Sequence, residues 1–333
     1  MKKRGIGVAS MWYGIGNTAA PNPAGAFVDI LDDGTAIVLT GAADIGQGSD
    51  TIFAQIVAEE IGIPYEDVLV SSGDTGISPD AGATSASRQT YISGNAVRLA
   101  AKEAKKEIML QAASLLNCAV DELRIRDGIV EQNGQKTKLS IKDVLKQCRL
   151  NGRLTAGSGW FNPETTSLDK ATGQGSPYAT YSFATQAAEV EVDTETGKVE
   201  VLRIFAAHDV GTAINPSNII GQVHGGCAMG IGYGLTEEVQ VKDGVIKNPR
   251  LSEYIIPTTL DMPQIDVSIV ECYEESGPFG AKGVGEPALI PTAAAIANAI
   301  YDAVGIRFTS LPVSPEKIVA ALVEQKNKEQ RNN

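Results

Sequence analysis

The chain has 333 residues, 43% of them apolar and 20% charged, which is an ordinary globular composition with room for two or three compact domains. Its 40 acidic residues outnumber the 28 lysines and arginines, and the positive residues form no long block, so a nucleic-acid partner is not expected. Two histidines and four dispersed cysteines without a C-x-x-C pair argue against a histidine-rich metal site, a zinc knuckle and an iron–sulfur cluster. The apolar run after the basic start is too short for a signal peptide, and no uninterrupted apolar run reaches membrane-spanning length, so we expect a cytoplasmic protein without a membrane partner.

The first half opens with a predicted hairpin followed by a helix. After a partly irregular opening over residues 1–24, two β-type runs within 25–40 surround Asp32-Asp33-Gly34, a turn composition typical of hairpins. The hairpin leads through Gly46-Gln47-Gly48 into an amphipathic helix that ends at Gly62. A glutamine between two glycines is therefore expected between a strand end and a helix start.

A long loop of small residues follows a short strand predicted at 68–71. Residues 73–95 have almost no aliphatic bulk, which is compatible with a linker. An amphipathic helix resumes at once over 97–115, so the loop interrupts a domain instead of separating two. Because long loops inside compact domains are usually functional, we expect this one to contribute to a site. Strand-forming residues at 123–130 and a short helix over 141–148 complete the half.

The second half repeats the order of parts of the first. Residues 150–181 are irregular and rich in Gly and Pro, which indicates a crossing between domains. A second hairpin over 188–205 leads into Ala206-Ala207-His208-Asp209-Val210-Gly211, matching Ala42-Ala43-Asp44-Ile45-Gly46 after the first. The sequence therefore predicts an α+β fold made of two similar units.

The helix of the second unit, predicted over 215–235, contains many glycines. Each mid-helix glycine costs up to about 1 kcal/mol relative to alanine. Such a composition indicates close approach either of another helix or of a ligand, and the sequence leaves both open. Strands at 238–241 and 265–272 and a terminal helix over 314–324 follow.

A glycine-rich stretch, Gly280-Ala281-Lys282-Gly283-Val284-Gly285-Glu286-Pro287, precedes an apolar run that ends at Gly305. Proline at the first turn and glycine past the end predict a buried helix over 288–304. Glu286 would then lie at the positive end of a helix dipole, which favours a negative charge. An acid of this kind can be an ordinary helix terminus or a functional carboxylate.

A nucleotide-phosphate loop does not explain these glycine-framed sites. The sequence contains no G-x-x-x-x-G-K-[ST], and neither hairpin is followed by G-x-G-x-x-G in a βαβ unit. Helix N-termini and exposed amides can cradle anions in general. A mononucleotide-binding enzyme is therefore not supported.

Four segments, in this order, resemble those of the molybdenum hydroxylase family, which includes xanthine dehydrogenase and aldehyde oxidoreductase. Gly46-Gln47-Gly48-Ser49-Asp50-Thr51 is similar to its Gly-Gln-Gly-x-x-Thr cofactor segment, and residues 84–89 to its pterin-contacting loop. Residues 209–222 resemble its Asp-x-Gly-x-x-x-Asn-Pro…Gly-Gln segment, and Gly285-Glu286-Pro287 resembles the segment bearing its catalytic glutamate. The resemblance covers essentially the whole chain.

The resemblance implies two molybdopterin-binding α+β units, residues 1–170 and 171–333. Glu286 is expected to be the catalytic general base. Glu286 and Gln47 would lie beside the molybdenum without ligating it. Arg88 departs from the commoner small or apolar residue and would either meet the dinucleotide phosphates or pair with an acid elsewhere. The residues expected to bind the cofactor are Gly46, Gln47, Gly48, Thr51, Thr84, Ser85, Ala86, Ser87, Arg88, Gln89, Gln222, Lys282, Gly283, Val284 and Gly285.

The resemblance also implies a cofactor and partners. The cofactor would be molybdopterin, in its cytosine dinucleotide form, with molybdenum and a terminal sulfido or selenido ligand. The chain matches only the C-terminal half of the family's molybdopterin unit, so a large subunit is expected to carry the N-terminal half. FAD and 2Fe–2S clusters would lie on an FAD subunit and an iron–sulfur subunit, and link the reaction to NAD(P).

A molybdopterin unit divided at this point resembles nicotinate dehydrogenase. That resemblance implies a small N-heterocyclic substrate, with nicotinate hydroxylated to 6-hydroxynicotinate by water-derived oxygen. The alternatives are the same half of a divided xanthine, purine or aldehyde dehydrogenase, and a non-catalytic structural or cofactor-delivery subunit. A stand-alone acidic binding protein is a further alternative.

Overall fold

The protein is described by a computed structural model that covers residues 1–17 and 21–332. Two four-stranded sheets with packed helices confirm the predicted α+β class. The strands are β1 (Lys2–Gly14), β2 (Ala24–Ile30), β3 (Ala36–Thr40), β4 (Val68–Ser72), β5 (Leu123–Arg126), β6 (Ile129–Gln132), β7 (Gln135–Ser140), β8 (Ala156–Phe161), β9 (Tyr181–Asp193), β10 (Val199–Asp209), β11 (Val241–Lys242), β12 (Val245–Ile246) and β13 (Gln264–Val270). The helices are α1 (Ser49–Ile61), α2 (Gly94–Leu116), α3 (Ile141–Leu150), α4 (Pro216–Leu235), α5 (Thr292–Val304) and α6 (Pro315–Asn332).

The first sheet has the strand order β4-β3-β2-β8. The predicted hairpin is confirmed, with β2 and β3 antiparallel and Val28 opposite Val38. α1 connects β3 to β4, which pairs parallel with β3. α1 ends at Gly62, whose φ of 93° is the left-handed conformation that glycine adopts without strain. α2 packs across β2 and β8, so one face of the sheet lies in the core.

The second sheet has the order β1-β9-β10-β13 and repeats this plan. β9 and β10 form the second predicted hairpin, α4 follows, and β13 returns parallel to β10. α5 packs against β1 and β9, as α2 packs against the first sheet. The predicted duplication is therefore present in the topology.

The fourth strand of each sheet lets its helix approach closely through glycines. A Cβ on Gly159 of β8 would meet the main chain of α2 at Ala96. A Cβ on Gly7 of β1 would meet the main chain of α5 at Ala299. β8 and β1 come from different places in the chain, yet each occupies the same edge position in its sheet.

The prediction of a partly irregular opening over residues 1–24 missed a long strand. Residues 2–14 form β1, which pairs antiparallel with β9 from Lys2 opposite Asp193 to Gly14 opposite Tyr181. Residues 18–20 of that opening lie outside the described residues. Because β1 is stabilised by a partner about 180 residues away, local composition does not reveal it. Residues 2–14 thus lie in the second sheet, and the division into 1–170 and 171–333 stays a proposal.

Other bounds also differ from expectation. β8 lies within the stretch predicted as irregular. Its glycines suggested a loop, but in the fold they let the strand pack closely against α2. The loop predicted over 73–95 ends earlier than expected, because a π-helical turn over Gln89–Ser93 runs into α2. The strand predicted at 238–241 is reduced to Val241–Lys242, and the terminal helix extends to Asn332.

The helix predicted directly after Glu286 begins later than expected. A 3-10 turn spans Glu286–Ala288, and α5 begins only at Thr292, after Pro291. Proline disfavours helical geometry in the residue before it, which breaks the run at this point. Within the described chain, 286–304 alone is long and apolar enough to span a membrane, yet more than half of it is buried in the fold, as expected of a core helix.

Candidate functional site

A cavity of about 380 Å³ lies where the two units meet. Its walls come from the loop before α1, the loop before α2, the middle of α4 and the segment before α5. The predicted site residues that line it are Gln47, Thr84, Ser85, Ser87, Arg88, Gln89, Gln222, Gly283, Val284, Gly285 and Glu286. The others, which are not among its lining, are Gly46, Gly48, Thr51, Ala86 and Lys282. The cavity is also lined by Gly225 and Gly226 of the glycine-rich helix, and by four residues that sequence reasoning missed, which are Ile45, Thr90, Met229 and Leu289.

Glu286 is held by Ser87 from the opposite wall. The Glu286 amide donates to Ser87 Oγ over 3.1 Å, and Ser87 Oγ donates in turn to Glu286 Oε2. A Cβ on Gly283 would meet the Ser87 carbonyl, so a glycine is needed for this approach. The two segments thus meet through main-chain contact and a side-chain pair, which fixes the direction of the carboxylate.

The loop that carries Ser87 has an unusual backbone. Ala86 and Ser87 have φ values of 53° and 51°. Left-handed geometry costs non-glycine residues roughly 1–2 kcal/mol each. The Ala86 carbonyl accepts from the Gly16 amide over 3.0 Å, and Ser87 meets Glu286. Contacts on both sides therefore hold this conformation.

The Gln47 loop is organised by Asp44, which sequence reasoning did not place in the site. Asp44 Oδ1 accepts from the amides of Gly46 over 2.8 Å and Gly48 over 3.3 Å. Gln47 Oε1 accepts from the Ile45 amide, and Gln47 Nε2 donates to Ser49 Oγ over 2.8 Å. The Asp-x-Gly spacing, typical of an Asx turn, is the signal that could have identified Asp44.

The 84–89 loop is tied to the Gln47 loop. Thr84 Oγ1 donates to the Ala43 carbonyl over 2.7 Å, and Gln47 Nε2 donates to the same carbonyl over 3.3 Å. Gln89 Nε2 donates to Thr84 Oγ1 over 2.8 Å. Two of the segments singled out in the sequence thus form one wall.

Arg88 has a different position from that expected of a phosphate-binding side chain. Its guanidinium is buried and donates to four main-chain carbonyls, none of them on an acid. These acceptors belong to Asn22, Pro23, Ala81 and Ala83. Burial lowers the pKa of this guanidinium. The guanidinium therefore stabilises the loop through main-chain carbonyls, and its expected contact with the cofactor stays a prediction.

Lys282 is also engaged within the fold. Its Nζ donates to Asp209 Oδ2 over 2.7 Å, with both side chains buried. Asp209 Oδ1 accepts from the Gly211 amide over 3.0 Å, repeating the Asp44–Gly46 geometry of the first unit. Lys282 borders a narrow cleft of about 50 Å³ beside the main cavity, which also touches Gln47.

The glycines of α4 differ in what surrounds them. A Cβ on Gly226 would meet Ala288, and one on Gly230 would meet Thr292, so these two permit close helix packing. Gly225 has no neighbouring atom within 4 Å of such a Cβ and lines the cavity. One face of α4 therefore packs, and the adjacent position leaves space for a ligand.

The family model for the molybdopterin cofactor-binding domain matches residues 1–263. The chain belongs to this family. Xanthine dehydrogenase molybdenum-binding subunit of Escherichia coli O157:H7 is 37% identical over 95% of the chain and 42% of its own length. The 6-hydroxypseudooxynicotine dehydrogenase complex subunit gamma of Paenarthrobacter nicotinovorans is 31% identical over 87% of the chain and 36% of its own length. Quinoline 2-oxidoreductase from Pseudomonas putida 86 superposes with a TM-score of 0.88, at 29% identity, over 97% of the chain and 42% of that structure.

The chain is thus a molybdopterin-binding member of the xanthine dehydrogenase and aldehyde oxidoreductase family. It spans about two fifths of the length of the relatives just named. The roles of individual residues in binding and catalysis remain predictions.

The cavity suits a cofactor that brings its own metal ligands. Across residues 1–17 and 21–332, no three His, Cys, Asp or Glu side chains come together as a metal site. The lining is instead made of hydroxyls, carboxamides and glycine main chain, which can hydrogen-bond a pterin. The open side of Gly225 leaves room for a ring. The residues present in this molybdopterin-binding chain therefore fit the cofactor.

A buried polar network behind the site was missed from the sequence. Gln186 Nε2 donates to the Ala288 carbonyl of the Glu286 turn over 2.8 Å and lies 3.2 Å from His208 Nε2. Thr292 Oγ1 donates to Gln186 Oε1 over 2.6 Å. Burial lowers the pKa of His208 to about 4, so the neutral ring accepts from Gln186. A glutamine in an alternating strand carries no sequence signal for this role.

Tyr13 of β1 also lies close to Glu286. Burial, with the Glu286 carboxylate adding to it, raises the pKa of Tyr13 to about 12. Tyr13 lines a second hollow of about 520 Å³, to which Ala86 and Trp12 also contribute. Sequence reasoning missed Tyr13 because β1 was expected to be irregular.

Proposed function

We propose that this chain is the molybdenum-cofactor-binding part of a hydroxylase that oxidises an N-heteroaromatic carbon with oxygen derived from water. Glu286 is its general base. The observation that supports this most strongly is the pairing of Glu286 with Ser87 across a cavity whose walls are the family-like segments. A carboxylate that only terminated a helix would not need a partner from another unit.

The cofactor would be held mainly by neutral groups. Ser85 and Gln222 offer a hydroxyl and a carboxamide, the main chain of 283–285 offers amides, and Thr84 and Gln89 hold the wall through their own hydrogen bond. When bound, the cofactor supplies the two-electron redox chemistry of the reaction. Gln47 is neutral, so it borders the cavity without adding charge beside an anionic group.

Glu286 acts by taking up a proton at its carboxylate. Ser87 donates to Oε2, which leaves Oε1 as the oxygen available to accept a proton from the reacting group. A positioned general base contributes roughly 10²–10⁴-fold to rate. The buried Gln186 network holds the turn that carries Glu286, so the base stays directed into the cavity.

We further propose nicotinate as the substrate, with 6-hydroxynicotinate as the product. Xanthine is the second candidate, because the 37% identical relative is a xanthine dehydrogenase molybdenum-binding subunit. The proposed cofactor is molybdopterin cytosine dinucleotide with a sulfido or selenido ligand. The proposed assembly is cytoplasmic and NAD(P)-linked, with a large molybdopterin subunit, an iron–sulfur subunit and an FAD subunit.

The test is Glu286→Gln in the purified native complex. We expect unchanged molybdenum content and a loss of turnover of at least about 100-fold, because the amide cannot accept the proton. Glu275→Gln is the matched control, since Glu275 is exposed on a neighbouring loop. Turnover is measured with nicotinate, xanthine, purine and an aldehyde. Wild-type turnover by Glu286→Gln with every substrate would exclude the proposed role, and a preference for xanthine would replace nicotinate.

A further inference from the structure

An ordered arm of the chain leaves most of its apolar side chains in solvent. The arm, residues 236–263, connects the end of α4 to β13 and is described throughout. Leu251 is 76% exposed and Leu260 is 95% exposed. The other exposed large apolar residues of the arm are Val239, Val241, Val245, Ile246, Ile255 and Ile256. An apolar surface of this size on a folded chain indicates a binding surface.

The arm has a defined conformation despite this exposure. Asn248 Nδ2 donates to the Glu238 carbonyl over 2.7 Å, and Asn248 Oδ1 accepts from the Gln240 amide over 2.9 Å. Tyr254 Oη donates to Glu237 Oε2 over 2.6 Å. The arm is therefore prepared for binding without a large ordering cost.

Both ends of the arm are fixed to the body of the fold. At the start of the arm, the amides of Thr236 and Glu237 donate to the Gly232 carbonyl of α4 over 3.0 Å and 2.8 Å. Met262 packs on the core of the second unit. The exposed side chains between these anchors thus have a constant position relative to α4.

Two exposed side chains of α4 lie between the cavity and the start of the arm. Met229 and Tyr233 are exposed on one face of α4, four residues apart, and Tyr233 lies just before the arm begins. Met229 also lines the cavity. A partner that covers the arm would therefore reach the mouth of the cofactor site.

We propose that the 236–263 arm, with Met229 and Tyr233, is the docking surface for the polypeptide that supplies the rest of the molybdopterin-binding subunit. This inference rests on the proposed function and assigns the surface for its large subunit. The relatives carry more than half of their length beyond the region this chain matches. A polypeptide equivalent to that remainder has to meet this chain near the cavity, because both would contribute to one cofactor site.

The arm's charge favours an apolar contact over an electrostatic one. It contains five acidic and three basic residues, which is close to balanced compared with the chain's formal net charge of −12. The interface is expected to depend on its buried apolar side chains, with only a weak dependence on salt.

The test places a photoreactive benzoylphenylalanine at position 251 in the native complex and, as a matched control, at position 150. Leu150 is 76% exposed, like Leu251, but lies at the end of α3. We expect position 251 to cross-link to a subunit whose sequence matches the region of the relatives that this chain does not span, and position 150 not to do so. Cross-linking of 251 to a second copy of this chain or to an iron–sulfur or FAD subunit, or no cross-link at all, would overturn the inference.

A substitution gives an independent readout. Leu251→Asp combined with Ile255→Asp should reduce the amount of large subunit that copurifies more than tenfold, while Leu150→Asp should leave it unchanged. Both positions are exposed, and unchanged circular dichroism checks that the variants fold. Full retention of the large subunit by the double variant would contradict the docking surface. The Glu286→Gln experiment measures turnover, whereas these experiments measure cross-linking and copurification. A failed docking surface and a failed catalytic role therefore give different results.

Discussion

Ser87 and Glu286 lie 199 residues apart in the sequence and are joined by two hydrogen bonds, one to the main chain and one to the carboxylate of Glu286. The contact joins a loop of the first unit to a turn of the second. Since each segment also lines the cavity, the relative position of the two units determines where the proposed base points.

Ser87→Ala should reduce turnover by about tenfold or more with molybdenum retained. The substitution removes a donor to a charged carboxylate, and hydrogen bonds to charged groups contribute about 1.5–3 kcal/mol. Turnover and metal content are measured on the native complex, with Ser114→Ala on the exposed face of α2 as control. Unchanged turnover would mean that Glu286 does not depend on Ser87 for its position.

Gly225 and Gly226 are adjacent in α4 and should respond in opposite ways to alanine. Gly226→Ala places a Cβ against Ala288, and such overpacking costs about 1–3 kcal/mol of unfolding free energy. Gly225→Ala meets no neighbour and should favour the helix by up to about 1 kcal/mol, but its methyl group projects toward the cavity. We expect normal stability with reduced molybdenum content for Gly225→Ala. Equal cofactor content in wild type and Gly225→Ala would argue against a cofactor at this wall.

Arg88→Met should destabilise the fold and loosen the 73–88 loop. The substitution leaves four main-chain carbonyls, two of them fully buried, without their donor, at a cost of about 3 kcal/mol or more. Chemical unfolding and limited proteolysis of the loop measure the effect, and Arg149→Met on the surface is the control. If Arg88 bound a phosphate of the cofactor instead, stability would be unchanged and only cofactor content would fall.

His208 should make the protein less stable as the pH falls below about 6.5. The pKa of His208 is lowered to about 4 by burial, whereas the unfolded chain binds a proton near pH 6.5. Unfolding therefore takes up a proton between these values, and the free energy of unfolding decreases through that window by about 3 kcal/mol in total. His208→Gln should remove this component from the pH dependence between pH 7.5 and pH 4, and His224→Gln, on an exposed residue, should not. Parallel curves for wild type and His208→Gln would contradict the assignment.

The sequence predicted the parts of the site whose signals are local. Three segments could be recognised from neighbouring residues alone. They are the glycines beside Gln47, the small residues around Ser87 and the Gly-Glu-Pro at 285–287, and each shows its backbone freedom or its carboxylate within a few positions of the chain. Gln186 and Tyr13 were missed, because their importance comes from what packs against them.

By itself, the sequence determined the α+β class, both hairpins, the helix ends at Gly62 and Gly305, and the two-unit plan, since strand alternation, turn residues and helix stops act over short distances. Only the tertiary structure decided that residues 2–14 belong to the second sheet and that Arg88 faces inward. It also decided that Glu286 precedes α5 by a separate turn and meets Ser87. These features depend on pairing and burial between residues far apart in the chain. The interactions that stabilise them form only once the two units have packed together.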